Sequence, residues 1–254
     1  MKRSAAVLMA MVMCLAFSGC RKPGQNSAAG ENQATADRAG SGSIEGTIHF
    51  TGPAPKRVPI DVSQDPGCVQ GGPAQPHLSE QYVVNNGKMA NVFVYVKAGL
   101  GNQRYAPPAA PVVVDQKGCV YEPHVIGVMV GQPVEVRNSD PTMHDVNVQP
   151  GAGGNPPSDA TQGPNGRPVQ QTFKKPETMI ALRCSVHPWM EAFINVADNP
   201  FYSVSDDQGH YVIRGLPPGR YTLAADQEKL GAKEQTVTVS PNQTATVDFT
   251  FDKP

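Results

Sequence analysis

Met179-Ile180-Ala181-Leu182-Arg183-Cys184-Ser185-Val186-His187-Pro188-Trp189-Met190 is the stretch on which the reading of this chain turns. Its first half alternates, so Ile180, Leu182 and Cys184 share one face of an extended segment and the thiol points into a core. Its second half is a Cys-x2-His-x2-Met run, with Pro188 restricting the loop that carries it. Upstream, His144 shares a face with Val146 and Val148 on another expected strand. Two imidazoles, one thiolate and one thioether make the donor set that holds copper in a trigonal site with a long axial sulfur. Soft sulfur favours Cu(I), and imidazole suits both oxidation states. A rigid β scaffold leaves little to rearrange when one electron moves. Closed structural zinc sites use Cys and His, seldom Met.

Outward from this stretch the pattern is β throughout. Ile44, Gly46, Ile48 and Phe50 alternate with Glu45, Thr47 and His49, giving one core face and one wet face. Val92-Phe93-Val94-Tyr95-Val96 is apolar on both faces, as expected of a strand covered on both sides. Short strands punctuated by turns such as Asp206-Asp207-Gln208-Gly209 and Leu216-Pro217-Pro218-Gly219 indicate an all-β sandwich architecture. With 25 Gly, 25 Pro and only 17% charged residues among 254, composition points to an ordered, turn-rich protein, not a helical one. No segment reads as a helix longer than a turn or two, and Pro150 to Pro168 reads as a loop. A formal net charge of −1 gives no reason to expect a nucleic-acid partner.

The N-terminus has a different character. Lys2 and Arg3 precede an apolar stretch, Ala5 to Phe17, that is too short to span a membrane comfortably. Phe17-Ser18-Gly19-Cys20 resembles a bacterial lipobox. That implies a signal peptide over residues 1–19, lipid attachment at Cys20, and an exported protein on the periplasmic or cell-surface face of a bacterial membrane. Residues 20–42 lack large apolar side chains and read as a flexible tether. Export leaves Cys68, Cys119 and Cys184 in an oxidising compartment, where an odd count implies one pair and one thiol with another task. A Cys68–Cys119 disulfide is the preferred pairing. A second metal site using Cys119 and His124 is the alternative, whereas His49, His77 and His210 read as exposed bystanders.

The segment from Val112 to Val196 resembles the cupredoxins, the type 1 (blue) copper domains of amicyanin and plastocyanin. The likeness is carried by Val112-Val113-Val114-Asp115, Tyr121-Glu122-Pro123, Val128-Met129-Val130-Gly131-Gln132, Arg137-Asn138-Ser139-Asp140 and the ligand loop. It implies a Greek-key β-sandwich and one Cu(I)/Cu(II) ion on His144, Cys184, His187 and Met190. Asp145 stands where Asn is usual in the family. There that side chain ties the two ligand loops together, so Asp145 is expected to accept from Ser185. Pro188 and Trp189, beside a ligand His whose edge reaches the surface, would form an apolar docking patch for a redox partner.

The flanks resemble another family. Tyr202 to Ile213 and Leu216-Pro217-Pro218-Gly219-Arg220-Tyr221-Thr222-Leu223 look like a carboxypeptidase-regulatory-like (transthyretin-like) β-sandwich, a fold that also needs strands like Gly46–Phe50 and Val92–Val96. The expected organisation is therefore an accessory sandwich split over residues 43–104 and 199–254, with a copper domain over 105–198 between its halves. The function expected is a lipid-anchored carrier shuttling single electrons between partner proteins. Copper enzymes use a second metal centre, usually built on His-x-His pairs, and none of the six His is spaced that way. A copper-delivery or adhesive lipoprotein without a carrier role is the alternative.

Overall fold

A computed structural model describes residues 40–70 and 76–252. The expected signal peptide, lipid-bearing Cys20 and most of the tether lie outside the described residues. Among the described residues there is a single helix, α1 (Pro66–Val69); the rest is strand and turn.

The N-terminal strands are β1 (Gly42–Thr51), β2 (Val84–Asn85), β3 (Lys88–Met89) and β4 (Phe93–Ala98). The middle of the chain supplies β5 (Val112–Gln116), β6 (Tyr121–Glu122), β7 (Val125–Met129), β8 (Pro133–Asn138), β9 (His144–Gln149), β10 (Ser158–Gln162), β11 (Val169–Thr172), β12 (Glu177–Arg183) and β13 (Glu191–Ala197). The C-terminal strands are β14 (Tyr202–Val204), β15 (His210–Leu216), β16 (Gly219–Gln227), β17 (Gly231–Val239), β18 (Thr244–Thr246) and β19 (Phe249–Asp252).

These strands sort into two sandwiches. The middle strands pair only with one another, in sheets ordered β10-β9-β12-β13-β7 and β11-β8-β5-β6. The flanking strands likewise pair with one another across the middle segment. β1 runs antiparallel to β15 and parallel to β18 and β19, while β4 lies between β14 and β16. Each flank thus supplies strands that the other needs for both of its sheets.

Burial explains the strand sequences. The inward residues of β1, Ile44, Ile48 and Phe50, join Val92, Val94, Val96 and the C-terminal aromatics Tyr211, Phe249 and Phe251 in the accessory core. Gly46 sits where the chain crosses itself: a Cβ there would lie 1.7 Å from the Val247 carbonyl oxygen, so no side chain fits. The opposite face of β4 has its own task. Phe93, with Tyr202, packs on Val125, Met129, Phe193 and Ala197 of the middle sandwich, forming an apolar seam between the modules. Gly127 leaves room for those rings, since a Cβ on it would meet Phe93 and Tyr202 at 2.7 Å. This seam is why both faces of Val92–Val96 are apolar.

Two features depart from the sequence reading. Part of the Gly/Pro-rich stretch from Pro150 to Pro168 is strand: β10 pairs antiparallel with β9 from Ser158↔Val148 to Gln162↔His144. It has no apolar alternation because it edges its sheet. Its anchor is a buried amide, Gln162, which accepts from Gln116 Nε2 at 2.7 Å and donates to the Val136 and Arg167 carbonyls. His124, the partner of Cys119 in the alternative metal site, is buried at the seam between the modules. Its Nε2 lies 3.0 Å from Glu228 Oε2 just beyond β16, and its Nδ1 lies 3.1 Å from the Glu191 carbonyl.

Two expectations follow. Residues 201–254 expressed alone lack β1 and β4, so they should show no cooperative unfolding transition by circular dichroism. Burial works against a charged His124, yet the Glu228 carboxylate outweighs it and raises the imidazole above its ordinary value. A raised histidine contributes stability that is fully present below about pH 6.5 and is lost as pH climbs through the folded value. Glu228→Gln should therefore cost about 3–5 kcal/mol at low pH and flatten the decline above neutrality. Chemical denaturation across pH checks both the loss and the slope.

Candidate metal centre

The site forms where the ends of two neighbouring strands meet. β9 opens on His144 and β12 ends at Arg183, and the two pair antiparallel with Arg183 opposite Asn147. Cys184 follows directly. The chain then turns through Ser185 to Met190, closed by the Met190 N–H donating to the His187 carbonyl at 2.9 Å. The thiol of Cys184 accepts from the Asp145 backbone N–H at 3.3 Å. A neighbouring strand braces both ends: the Tyr121 hydroxyl lies 2.7 Å from the Asp145 carbonyl and 3.0 Å from the Arg183 carbonyl. One phenol thus ties together the residues that flank His144 and Cys184.

Three donor atoms converge. Cys184 Sγ lies 3.9 Å from His144 Nδ1 and 3.7 Å from His187 Nδ1, and the two Nδ1 atoms are 2.9 Å apart. All three side chains are buried, His144 completely. Met190 is buried in the same core cluster as Cys184. The imidazoles face inward through Nδ1 because a carboxylate holds each outer nitrogen. Asp140 Oδ2 is 2.9 Å from His144 Nε2, and Asp65 Oδ2 is 2.9 Å from His187 Nε2.

The electrostatics suit a cation. Burial opposes ionisation of Cys184, but hydrogen bonds from His144 and from the Asp145 N–H bring the thiol down to about 7. Burial likewise opposes a charged His144, yet Asp140 and Cys184 lift it to about 9. A thiol held near neutrality is substantially thiolate, the form that binds soft metals.

Among the described residues, three buried groups of Cys, His and Asp could hold an ion on distance alone: His144/Cys184/His187, Cys68/Cys119/His187 and Cys119/Asp140/His144. The last two both require Cys119. Its sulfur is bonded to that of Cys68, so it offers no thiolate. This disulfide also removes the alternative site on Cys119 and His124, whose ring is already engaged by Glu228 and Glu191.

The outer residues differ from expectation. Ser185 is exposed, and Asp145 serves the site through its backbone; no side-chain hydrogen bond links the two. The edge of His187 does not reach the surface. The ring is 2% exposed, covered by Asp65 and by Cys68, whose Sγ is 3.6 Å from Nε2. Trp189 is half-buried, its Nε1 donating to the Cys119 carbonyl at 2.9 Å and its ring centroid 5.2 Å from that of His187. Beyond Ser185, the loop residues that stand clear in solvent are Val186 and Pro188.

Sequence reasoning assigned no role to Asp65, Asn138, Asp140 or Tyr121. Asn138 accepts from the Asp140 N–H through its side-chain oxygen and donates to the Thr142, Gln162 and Gly163 carbonyls. Asp140 also accepts from the Gly118 and Cys119 N–H groups. The only sequence signal for Asp65 is Asp-Pro-Gly, which reads as a helix cap.

Residues 188–252 match the carboxypeptidase regulatory-like domain family. Curated proteins offer no match to this sequence. Among solved structures, the chain is similar to a copper-containing nitrite reductase (NirK) from Thermus scotoductus SA-01, with 29% identity and a TM-score of 0.32. That match covers 38% of this chain and 26% of the reductase, so the chain spans about a quarter of that protein's length. It is also similar to a methionine-to-alanine variant of amicyanin in the Cu(I) state, at 22% identity and a TM-score of 0.31, covering 41% of this chain and 98% of amicyanin. A reduced tryptophan-to-tyrosine variant of amicyanin matches at 21% identity and a TM-score of 0.32.

The brace from Tyr121 is open to test. Tyr121→Phe removes the hydroxyl that reaches the Asp145 and Arg183 carbonyls and should lower unfolding stability by about 1–3 kcal/mol, measured by denaturant titration.

Proposed function

We propose that this chain carries single electrons on one copper ion held by His144, Cys184, His187 and Met190. The observation that carries the reading is the buried triangle of two imidazole Nδ1 atoms and one sulfur, with the thiol pulled down to about 7. The donor set fits the metal. Two N–S separations of 3.7 and 3.9 Å are close to the roughly 3.7 Å spanned by bonds of about 2.0 and 2.3 Å at a trigonal angle. The facing Nδ1 atoms sit 2.9 Å apart, so both can be directed at one ion between them and the sulfur.

Bound copper would supply the one-electron couple; the protein supplies the rest. Cys184 is held as thiolate by the Asp145 N–H and His144. The imidazoles are aimed by Asp140 and Asp65. Burial excludes water from the donors, and side chains braced this way have little to rearrange when charge changes. Redox partner proteins would meet the loop at Val186 and Pro188, the solvent-facing part of the ligand run. Export and lipidation at Cys20 would place the carrier at a bacterial membrane. A carrier, with no reaction of its own, is the reading this geometry favours.

A visible absorption spectrum of the copper-loaded protein tests it. An intense band toward the red is expected from the Cys184–Cu(II) bond. Cys184→Ser should abolish it, and Met190→Leu should keep a blue site with a raised potential. A colourless copper complex of the intact protein would overturn the proposal.

A further inference from the structure

We infer that Asp65, on the segment between β1 and β2 of the accessory sheets, is a positioning residue for His187, so that a segment from outside the copper sandwich completes its metal centre. The inference rests on the copper reading above. It starts from an asymmetry between the two imidazoles. His144 is held by Asp140, four residues away in the same module. His187 is held by a carboxylate 122 residues distant in sequence.

The arrangement around Asp65 is built, not incidental. Asp65 caps α1: its Oδ1 accepts from the Gly67 N–H at 2.7 Å, leaving Oδ2 free to turn toward the site. Oδ2 accepts from Thr142 Oγ1 at 2.7 Å and meets His187 Nε2 at 2.9 Å. Thr142 lies two residues before His144, so one carboxylate oxygen touches one ligand and the loop leading to the other. The α1 turn is seated against that loop: a Cβ on Gly67 would fall 2.6 Å from Thr142 Cβ. The Cys68–Cys119 disulfide pins the same turn to the copper domain.

A carboxylate on the outer nitrogen of an imidazole fixes its tautomer, aims the inner nitrogen and strengthens it as a donor. Negative charge there also favours the more highly charged metal. Asp65 would therefore hold the potential down and slow metal loss, and Thr142 would temper it by drawing off part of the carboxylate's charge.

The test uses the full chain with copper alone as the probe. Asp65→Asn retains an oxygen for the Gly67 N–H, so the helix cap survives. It should keep the blue band, raise the reduction potential and weaken copper binding by roughly ten- to hundredfold. Thr142→Val removes the competing donor and should shift the potential the opposite way, downward. A folded Asp65→Asn protein with the potential and copper affinity of the parent would reduce Asp65 to a helix cap and overturn the inference. Should that variant fail to fold, an unmoved potential in Thr142→Val overturns it equally. The parent spectrum alone judges the copper reading. If that reading fails, nitrogen NMR of the metal-free protein still decides. A protonated, slowly exchanging His187 Nε2 that is lost in Asp65→Asn supports the positioning role, and its absence from the parent refutes it.

Discussion

Two carboxylates on the outer nitrogens of two buried imidazoles set the rest of this structure. An imidazole taken out of water must have both nitrogens satisfied, and a ring free to flip could present either one inward. Asp140 and Asp65 remove that freedom. Each carboxylate must in turn be satisfied, and the bonds that do so run through the surrounding loops: Gly118 and Cys119 to Asp140, and Gly67 and Thr142 to Asp65. Asn138 closes the circuit between them by binding the Asp140 N–H and the Thr142 carbonyl. Displacing one member leaves a buried polar group unpaired elsewhere in the ring.

Such a network needs its parts held in register, and the nested topology does this. The middle sandwich is entered from β4 and left into β14, and these two strands pair with each other. The ends of the insertion are therefore fixed side by side in the accessory sheet. The apolar seam around Phe93 and Tyr202 then sets the orientation of the modules, and the disulfide ties the far end of the N-terminal segment to the loop behind the ligands. A cross-link between residues separated by 51 positions also removes conformational freedom from the unfolded chain.

The periodic part of this architecture was legible in the sequence. Ile44, Ile48 and Phe50 on one face, the doubly apolar Val92–Val96 and the Ile180, Leu182, Cys184 face all occupy the burial that alternation predicts, because alternation is a local record of which face meets a core. The convergence of His144, Cys184 and His187 was foreshadowed for a different reason: few other roles combine a core-facing Cys with His and Met at fixed short spacing. What could not be read is what depends on distant polar partners. Gln162 gives β10 its anchor, yet nothing around it alternates. His124 is buried because Glu228 awaits it across the seam. Asp65 reads as a helix cap from its neighbours alone. Hydrogen bonds between segments far apart in sequence leave no period behind, so they surface only when the fold brings both partners together.

Covering His187 has a consequence for the proposed electron carrier. An exposed ligand edge gives a partner a short path to the metal, but it also admits water, whose reorientation must accompany every change of charge. Here Asp65 and the disulfide close that edge, and Trp189 is turned inward onto the Cys119 carbonyl. The centre gains a drier, stiffer surrounding at the expense of its shortest exit. What stays open is the outer side of the loop at Val186 and Pro188, one or two residues from both sulfur and imidazole donors. An electron leaving there passes through the covalent chain of the ligand loop, with Cys184 at its root. A single covalent bond couples electronic states better than a gap through space, so a loop only a few residues long from thiolate to imidazole is compatible with a sealed site. The shortness of the Cys-x2-His-x2-Met run and the lid over its histidine are two parts of one solution.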